Sequence, residues 1–200
     1  MAIEIRRLTP ELADDYVHFF DVTPHSEKPE DDECKCYCVW WCSDDYEGKE
    51  YIAMSLEKRR DYAIQCVKDN KIQGYLAYSD GKVVGWCNAN TKSKCLKCFC
   101  WRRFMASVPV EETSSGSKVK SVFCFMIALE MRRKGISQLL LERVCQDAAQ
   151  DGFDFVEAYP RKESFHEAKD CVGPAGMFGK SGFTVYAQTA DNLVMRKMLK

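Results

Sequence analysis

The sequence predicts an α/β fold, in which a mixed, mostly antiparallel sheet with a central parallel pair of strands is flanked by helices. Residues 122–129 form an unbroken apolar run of strand length, which suits a central strand covered on both faces and predicts a strand over Val119 to Ala128. Between residues 136 and 148 apolar residues recur at helical spacing. Gly152 ends that helix, and Phe153 to Ala158 predict a second strand, parallel to the first.

The chain opens with a strand and a helix. Ile3 and Ile5 alternate with polar neighbours, which is typical of a short strand. Thr9-Pro10 follows, an N-cap residue with proline at the first helical position. The helix that begins there carries one apolar stripe, formed by Leu12, Tyr16, Val17 and Phe20.

A second helix and a hairpin come next. Ser55 is predicted to cap the helix. Four residues are predicted for its inward face: Leu56, Ala63, Cys66 and Val67. Residues 72–78 and 82–90 predict two strands, because the Ser79-Asp80-Gly81 segment between them is a strong hairpin signal. These elements precede the central unit in the order helix, strand, strand.

A short helix and a closing pair of strands follow the central unit. Pro174 predicts the start of the helix, which runs to Gly182, and residues 183–187 and 193–198 predict the strands. Two long loops, about 22–52 and about 91–118, interrupt the pattern, and connections of that length are often functional. Two hundred residues suit one domain, so residues 1–200 are predicted to form a single domain that includes both loops.

Composition argues against two classes of partner. The formal net charge of −1 lacks the basic footprint of a nucleic-acid-binding protein. No apolar run approaches the length of a membrane span, and the start of the sequence lacks the apolar segment of a signal peptide. We therefore expect a cytoplasmic protein with neither a nucleic-acid nor a membrane partner.

Twelve cysteines are a high number for this length. Without an export signal they are expected to be reduced thiols rather than a disulfide framework. Cys66, Cys124 and Cys145 fall on apolar faces and are interpreted as small core residues. Two clusters remain, in residues 34–42 and 95–100, whose thiolates could bind zinc or react as nucleophiles. Because Cys-x-Cys spacing is unusual for structural zinc, no metal is predicted.

A basic turn between the central strand and its helix predicts an anion site. Arg132, Arg133 and Lys134 precede Gly135, where the first helical N–H groups lack an intrahelical acceptor. These N–H groups and the positive end of the helix dipole suit a phosphate, and the glycine lets a ligand approach the backbone closely. The turn carries neither the dinucleotide nor the P-loop fingerprint.

The run 127–141, with Arg132-x-x-Gly135-x-Ser137 inside it, resembles the acetyl-CoA-binding motif of the GNAT acetyltransferases, Arg/Gln-x-x-Gly-x-Gly/Ala, with Ser137 at the last position. The order of elements and the ending 178–183 are similar to the same family. Residues 36–41 are similar to a Cys-x-Cys-x-x-Trp segment in a poorly characterised bacterial group of GNAT proteins.

This resemblance implies the GNAT acyl-CoA N-acyltransferase fold, whose parallel pair splays apart at the CoA site. It also implies acetyl-CoA as co-substrate, bound by backbone and side-chain groups of nine residues. Those residues are Met126 and Ile127 along the pantetheine arm, and Arg132, Arg133, Lys134, Gly135, Ile136, Ser137 and Gln138 around the phosphates.

Acetyl transfer to an amine needs a neutral amine and a proton for the leaving thiolate. Many GNAT enzymes place a glutamate on the central strand as base, and none occurs between residues 119 and 129. Glu157 on the next strand is proposed as base, directly or through water, and Tyr159 on the same face as acid. A surface carboxylate and a packing tyrosine are the alternatives. The tyrosine that many relatives use as acid is replaced here by Phe178.

The sequence therefore predicts an acetyl-CoA-dependent N-acetyltransferase. It passes the acetyl group to a primary amine of a small molecule or peptide by direct attack. Phe178 and the missing central-strand glutamate favour a second hypothesis, a catalytically weak CoA-binding domain that acts as a sensor or binds a partner. A cysteine-ligated metal or redox module is the third. A homodimer is an open alternative to a monomer.

Overall fold

The computed structural model describes residues 2–23, 35–43, 48–110, 116–162 and 171–200. Within these ranges seven strands form one sheet in the order β1-β2-β3-β4-β5-β7-β6. The strands are β1 (Ile3–Arg7), β2 (Gly74–Ser79), β3 (Lys82–Thr91), β4 (Val119–Ile127), β5 (Phe155–Ala158), β6 (Thr184–Gln188) and β7 (Leu193–Met198). Neighbouring strands are antiparallel except β4 and β5, which are parallel. The predicted mixed sheet with one parallel pair is confirmed.

Helices cover both faces of the sheet. They are α1 (Ala13–Val22), α2 (Gly48–Ala53), α3 (Leu56–Lys68), α4 (Lys92–Cys95), α5 (Phe99–Phe104), α6 (Ile136–Gln150) and α7 (Ala175–Lys180). On β3, Gly85 faces Ile136 of α6, whereas the ring of the next residue, Trp86, lies 4.8 Å from the ring of Tyr16 in α1. Because consecutive strand residues point to opposite faces, α1 and α6 cover opposite sides. No helix in the described ranges has the length and apolar character needed to cross a bilayer.

Local signals placed most of these elements correctly. Ser55 caps α3, since its hydroxyl accepts a hydrogen bond from the Lys58 N–H (3.2 Å). Asp80 and Gly81 both adopt positive φ (50° and 76°), as a two-residue hairpin turn of the predicted kind requires. The prediction was wrong for Leu56, which is 42% exposed. It stands in the first turn of α3, outside the buried stripe that Ala63, Cys66 and Val67 form as predicted.

The two predicted long loops contain short helices. Helix α2 lies in the first, and α4 and α5 lie in the second. The remainder of these segments includes residues 24–34, 44–47 and 111–115, which lie outside the described residues, and Cys34 is among them. The three cysteines predicted for the core, Cys66, Cys124 and Cys145, are all buried.

Candidate functional site

The central parallel pair is joined along only part of its length. Hydrogen-bonded pairing of β4 with β5 runs from Val119↔Phe155 to Val122↔Ala158. Strand β4 continues to Ile127, and on its other side β3 pairs with it as far as Gly85↔Ile127. We call residues 119–122 with 155–158 the paired half, and residues 123–127 of β4 the open half. The open half presents a backbone edge with no β5 partner among the described residues.

One backbone donor on this open edge is capped by the chain itself. The N–H of Phe125 donates to the carbonyl of Cys171 at 2.5 Å. Cys171 precedes the turn at Gly173, which leads into α7. A Cβ built on Gly173 would lie 2.9 Å from Met177 Cε and 3.5 Å from the Phe125 ring, so this turn packs closely beside the open half.

The turn after β4 exposes the amino terminus of α6. Arg133 and Gly135 both adopt positive φ (63° and 78°), so the chain bends sharply before the helix begins at Ile136. The first intrahelical bond runs from the Leu139 N–H to the Gly135 carbonyl (3.1 Å), and no side chain caps the terminus. The N–H groups of residues 136–138 therefore have no intrahelical acceptor. A Cβ built on Gly135 would meet no atom within 4 Å, so the space above these donors is open.

Glycine at position 85 fixes the strand end against the helix start. A Cβ built on Gly85 would lie 2.9 Å from Ile127 Cδ1 and 3.1 Å from Ile136 Cγ2, so these two predicted cofactor residues meet over β3. Ile136 is buried, while Met126 and Ile127 are half-buried. The strand end and the helix terminus are therefore parts of one site.

The remaining predicted cofactor residues surround the same helix terminus. Arg132 is half-buried and its Nε donates to the Ile127 carbonyl (3.4 Å), whereas Arg133 and Lys134 are exposed. Ser137 is half-buried, and Gln138 Nε2 donates to the hydroxyl of Ser181 after α7 (2.7 Å). Three cationic side chains thus lie in the turn that leads to the open N–H groups.

Glu157 lies in the paired half and is fully buried. Its Oε1 accepts hydrogen bonds from Lys92 Nζ (2.8 Å) and the Tyr159 hydroxyl (2.9 Å). Its Oε2 accepts two from Arg196, through Nε (2.9 Å) and Nη2 (2.6 Å). Each carboxylate oxygen therefore receives two donors, and the side chain is not the surface carboxylate considered as its alternative role.

Tyr159 is held in the same network. Its hydroxyl donates to Glu157, so the Ser121 hydroxyl, 2.6 Å away, donates to it in turn. Burial raises the pKa of Tyr159 well above its usual value, and the nearby charge of Glu157 adds to that shift. Its ring stacks on Phe123 (5.6 Å between centroids), which stacks on Trp41 (4.6 Å). The structure thus brings the two predicted catalytic residues together, in a closed network beside the open half.

Sequence reasoning missed three members of this network. Arg196 faces Glu157 in the β5–β7 register, and Ser121 faces it in the β4–β5 register. An acid and a base at matched positions of neighbouring strands are a usable signal once the register is known. Lys92 carries no such signal, because it reaches the carboxylate from α4 in the second long loop.

Phe178 occupies a packed position in α7. It is fully buried, and its ring lies 6.3 Å from that of Phe125 and 5.5 Å from that of Phe183. The side chain therefore contacts the open half of β4 through Phe125 and has no proton to donate.

The cysteine clusters lie around the same sheet. In the described part of the chain, no group of three or more His, Cys, Asp or Glu side chains has the geometry to hold a metal ion. Trp86 Nε1 donates to Cys38 Sγ (3.4 Å), and the N–H of Cys38 donates to Cys36 Sγ (3.4 Å). The pKa of Cys38 is lowered by hydrogen bonds from Cys124, Cys36 and Trp86. These contacts place one cluster directly against the open half.

Comparison with known proteins agrees with this geometry. The model of the acetyltransferase (GNAT) family matches residues 8–169. Similar solved structures include a GNAT-family acetyltransferase from Streptococcus pneumoniae (15% identity, all of both chains, TM-score 0.53). The PaiA N-acetyltransferase from Thermoplasma acidophilum in complex with coenzyme A (16%, 99% of each chain, 0.54) and the polyamine N-acetyltransferase from Drosophila melanogaster (12%, 98% of each chain, 0.55) are also similar.

At these identities the likeness to solved structures shows the fold. No curated protein is significantly similar to the chain. The family match, in contrast, spans most of the sequence and includes the open half of β4, the basic turn and α6. The chain therefore belongs to the GNAT acetyltransferase family and is an acetyl-CoA-dependent acyltransferase.

Proposed function

We propose that this protein is an N-acetyltransferase that moves the acetyl group of acetyl-CoA directly to a primary amine of a small molecule or peptide. One observation carries the proposal: the open half of β4 ends beside the uncapped amino terminus of α6. A strand edge and a helix terminus in that arrangement fit an extended ligand with a phosphate at one end. We further propose that residues 1–200 act as one domain in the cytoplasm.

The helix terminus fits the pyrophosphate of the cofactor. The N–H groups of Ile136, Ser137 and Gln138 are free of intrahelical acceptors and lie at the positive end of a 15-residue helix. Positive φ at Arg133 and Gly135 curves the preceding backbone, a conformation that forms anion-binding concavities. Arg132, together with the exposed side chains of residues 133 and 134, adds positive charge. These backbone donors would hold the phosphates, and the cations would strengthen binding at low ionic strength.

The open half fits the pantetheine arm. Because β5 does not pair with residues 123–127, the backbone groups on this edge can pair with an amide-containing chain as a further strand would, once the Phe125 N–H is released from the Cys171 carbonyl. Met126 and Ile127 lie at the end nearer the phosphates, so the thioester would lie toward Phe125 and Cys124. A backbone N–H in that region would polarise the acetyl carbonyl as the amine attacks.

Glu157 and Tyr159 remain our proposal for proton handling, with Glu157 acting indirectly. Since four donors saturate the carboxylate, Glu157 fixes the orientation of the Tyr159 hydroxyl rather than contacting an amine. The Tyr159 hydroxyl also bonds Ser121 on β4, the strand that continues into the open half. Burial and the charge of Glu157 raise the pKa of Tyr159, so the phenol stays protonated at neutral pH; to give its proton to the leaving thiolate, it must turn its O–H away from Glu157.

The acceptor is proposed as a primary amine, in line with the family and with the amine substrates of the polyamine N-acetyltransferase that shares this fold. A catalytically weak CoA-binding domain is the second candidate. Phe178 favours it, because this fully buried ring has no proton to give. Thiol release over a panel of primary amines separates the two, since the second candidate predicts cofactor binding without turnover.

A pair of glycine variants tests the cofactor site. Gly135 and Gly152 flank the two ends of α6, share a positive φ (78° and 75°), and have no atom within 4 Å of a built Cβ. Alanine at either position is therefore expected to cost a similar 1–2 kcal/mol of stability. Only Gly135→Ala places a methyl group where phosphate approaches, and it is expected to weaken acetyl-CoA binding about tenfold. Isothermal titration calorimetry measures the affinity.

Gly152→Ala serves as the matched control and should bind acetyl-CoA like the unsubstituted protein. Equal affinities for both variants would show that the phosphates do not lie at this helix terminus. No heat of binding at millimolar acetyl-CoA for the unsubstituted protein would overturn the proposed function.

Tyr159→Phe tests proton handling. The variant removes the hydroxyl and keeps the ring stacked on Phe123. The kcat for amine acetylation should therefore fall, while the affinity for acetyl-CoA should remain unchanged. Tyr75→Phe is a control, because Tyr75 is also buried in the sheet and lies on β2. A similar loss of kcat in both variants would indicate a structural effect instead.

A further inference from the structure

Three thiols from separate parts of the chain meet at the open half. Cys124 belongs to β4, and the neighbouring thiols of Cys171 and Cys38 raise its pKa well above the usual value. Cys38 comes from the short segment 35–43, and Cys171 follows β5 and precedes α7. Cys38 and Cys124 are buried, whereas Cys171 is exposed. The thiol of an exposed residue thus lies beside that of a buried one, and a second buried thiol lies beside both.

The backbone holds two of these thiols in constrained positions. Tyr37 and Cys38 both have positive φ (44° and 53°), and a non-glycine residue in that region costs about 1–2 kcal/mol. Strain of this kind persists where surrounding structure enforces it, and it is concentrated at functional sites. The carbonyl of Cys171 accepts the N–H of Phe125, the residue after Cys124. A single described backbone hydrogen bond thus holds the Cys171 segment on β4 beside Cys124.

We propose that Cys124 and Cys171 form a regulatory disulfide by exchange with a low-molecular-weight disulfide, and that this bond closes the thioester end of the open half to acetyl-CoA. The regulatory part rests on the proposed function, because it assumes that the cofactor pairs with residues 123–127. In the reduced protein the Cys171 segment can leave the edge and free the Phe125 N–H. A covalent bond to Cys124 would keep the segment on that edge.

The exchange proceeds in two balanced steps. The thiolate of Cys171, an exposed residue, attacks one sulfur of the small disulfide, so a mixed disulfide forms and one small thiol leaves. Cys124 then attacks the Cys171 sulfur, and the second small thiol leaves. Two protein thiols are oxidised and one small disulfide is reduced to two thiols.

In the second step the small thiolate that leaves takes up the proton of Cys124. Hydrogen bonds from Cys124, Cys36 and the Trp86 indole lower the pKa of Cys38, while hydrogen bonds to Cys171 and Cys38 raise that of Cys124. These shifts favour the charge on Cys38 and the proton on Cys124, so Cys38 is not the base for this step. The Cys171 carbonyl is bonded to the residue after Cys124 and its thiol shifts the pKa of Cys124, so the two side chains are neighbours, as a disulfide requires.

Peptide mapping tests the bond itself. The protein is incubated with glutathione disulfide, free thiols are alkylated, and a tryptic digest is analysed by mass spectrometry. The expected product is a peptide pair that links Cys124 to Cys171 with the loss of two hydrogens, and reduction with dithiothreitol separates it. Absence of this pair, or an equal yield of cross-links at unrelated cysteines, would overturn the proposal.

Calorimetry of the oxidised and reduced protein tests the regulation. Oxidation is expected to weaken acetyl-CoA binding about tenfold or more, with recovery after dithiothreitol. Cys124→Ser and the exposed-site variant Cys171→Ser should both lose this response, so the second keeps the test valid if the first fails to fold. Cys145→Ser is the matched control, because Cys145 and Cys124 are equally exposed (6%), and it should respond like the unsubstituted protein.

The outcomes separate the two proposals. A cross-link without any change in acetyl-CoA affinity overturns the regulation while leaving the proposed function in place. A reduced protein that does not bind acetyl-CoA overturns the proposed function and the regulation together, and the peptide map still decides whether the disulfide forms.

Discussion

The paired and open halves of the β4–β5 unit differ in how their polar groups are satisfied. In the paired half, Glu157 receives four hydrogen bonds from fully or largely buried partners, and both strands are hydrogen-bonded to each other. In the open half, a single described contact, from the Phe125 N–H to the Cys171 carbonyl, covers the edge left by β5. One half is closed around its own charges, and the other is available to a ligand.

This difference separates stability from function along one strand. Buried charges that are fully paired connect β5 to β7 just before pairing of β4 with β5 stops at Val122↔Ala158. The open half begins there, next to a rigid support. We infer that substitutions in the paired half mainly change the free energy of unfolding, whereas those around the open half mainly change ligand binding.

The largest expected effect is that of Glu157→Gln. The variant leaves Lys92, which is fully buried, and Arg196 without their carboxylate partner. Removing one partner of a buried ion pair costs about 3–5 kcal/mol, and we expect a loss of that size in urea unfolding. Glu142→Gln, on the exposed face of α6, is the control and should change little. Similar losses of unfolding free energy for both variants would contradict the inference that buried charges in the paired half determine stability.

Patterns along the chain predicted the open half better than the paired half. The apolar run of β4, the basic turn and Gly135 are local signals, and local backbone rules connect them to a strand, a turn and an anion site. Glu157 and Tyr159 were placed on one face by strand alternation, and the structure confirms that they meet. Their saturation by Lys92 and Arg196 depends on loop conformation and strand register, which local patterns do not encode.

The second prediction concerns Lys120, on the opposite face of the paired half from Ser121. Burial lowers its pKa to about 8, with the charge of Arg7 adding to the effect and that of Asp151 opposing it. Between pH 8 and its usual 10.5 the unfolded chain binds a proton that the folded chain has lost, so this group makes stability rise with pH in that window. Below pH 8 Lys120 is charged in both the folded and the unfolded chain, so the full free-energy cost of burying this charge lowers stability.

Lys120→Met should remove this dependence. The difference in unfolding free energy between the unsubstituted protein and the variant should rise by about 3 kcal/mol from pH 8 to 10.5. The variant also loses the hydrogen bond from Lys120 Nζ to Gln73 Oε1 (3.0 Å), which is a pH-independent loss in that window. Lys118→Met, at an exposed position just before the same strand, controls for removal of a charge. A constant difference across the window would contradict the prediction.

Gly85→Ala tests the support of the open half. The added methyl group would approach Ile127 Cδ1 (2.9 Å), Ile136 Cγ2 (3.1 Å) and Ala77 Cβ (3.3 Å), so the strand end and the helix terminus must shift apart. Overpacking of this kind costs about 1–3 kcal/mol. We expect acetyl-CoA binding, measured by calorimetry, to weaken as well. A stability loss with unchanged affinity would show that the site does not depend on this contact.

The smallest expected effect is that of Phe178→Tyr, which introduces the tyrosine that the resemblance to GNAT enzymes implies as acid. The ring is fully buried against Phe125 and Phe183, so a new hydroxyl would enter an apolar cluster and cost about 1–2 kcal/mol. Phe183→Tyr is the matched control, because that ring is buried in the same cluster.

If Phe178 only supports the open half through Phe125, both tyrosine variants should lower stability and leave the kcat for amine acetylation unchanged. A tenfold rise in kcat confined to Phe178→Tyr would instead show that position 178 reaches the leaving thiolate. The proton would then be donated from a residue beside the open half, and the role proposed for Tyr159 would be wrong. Stopped-flow detection of free CoA thiol with one amine, at saturating acetyl-CoA, measures that difference directly.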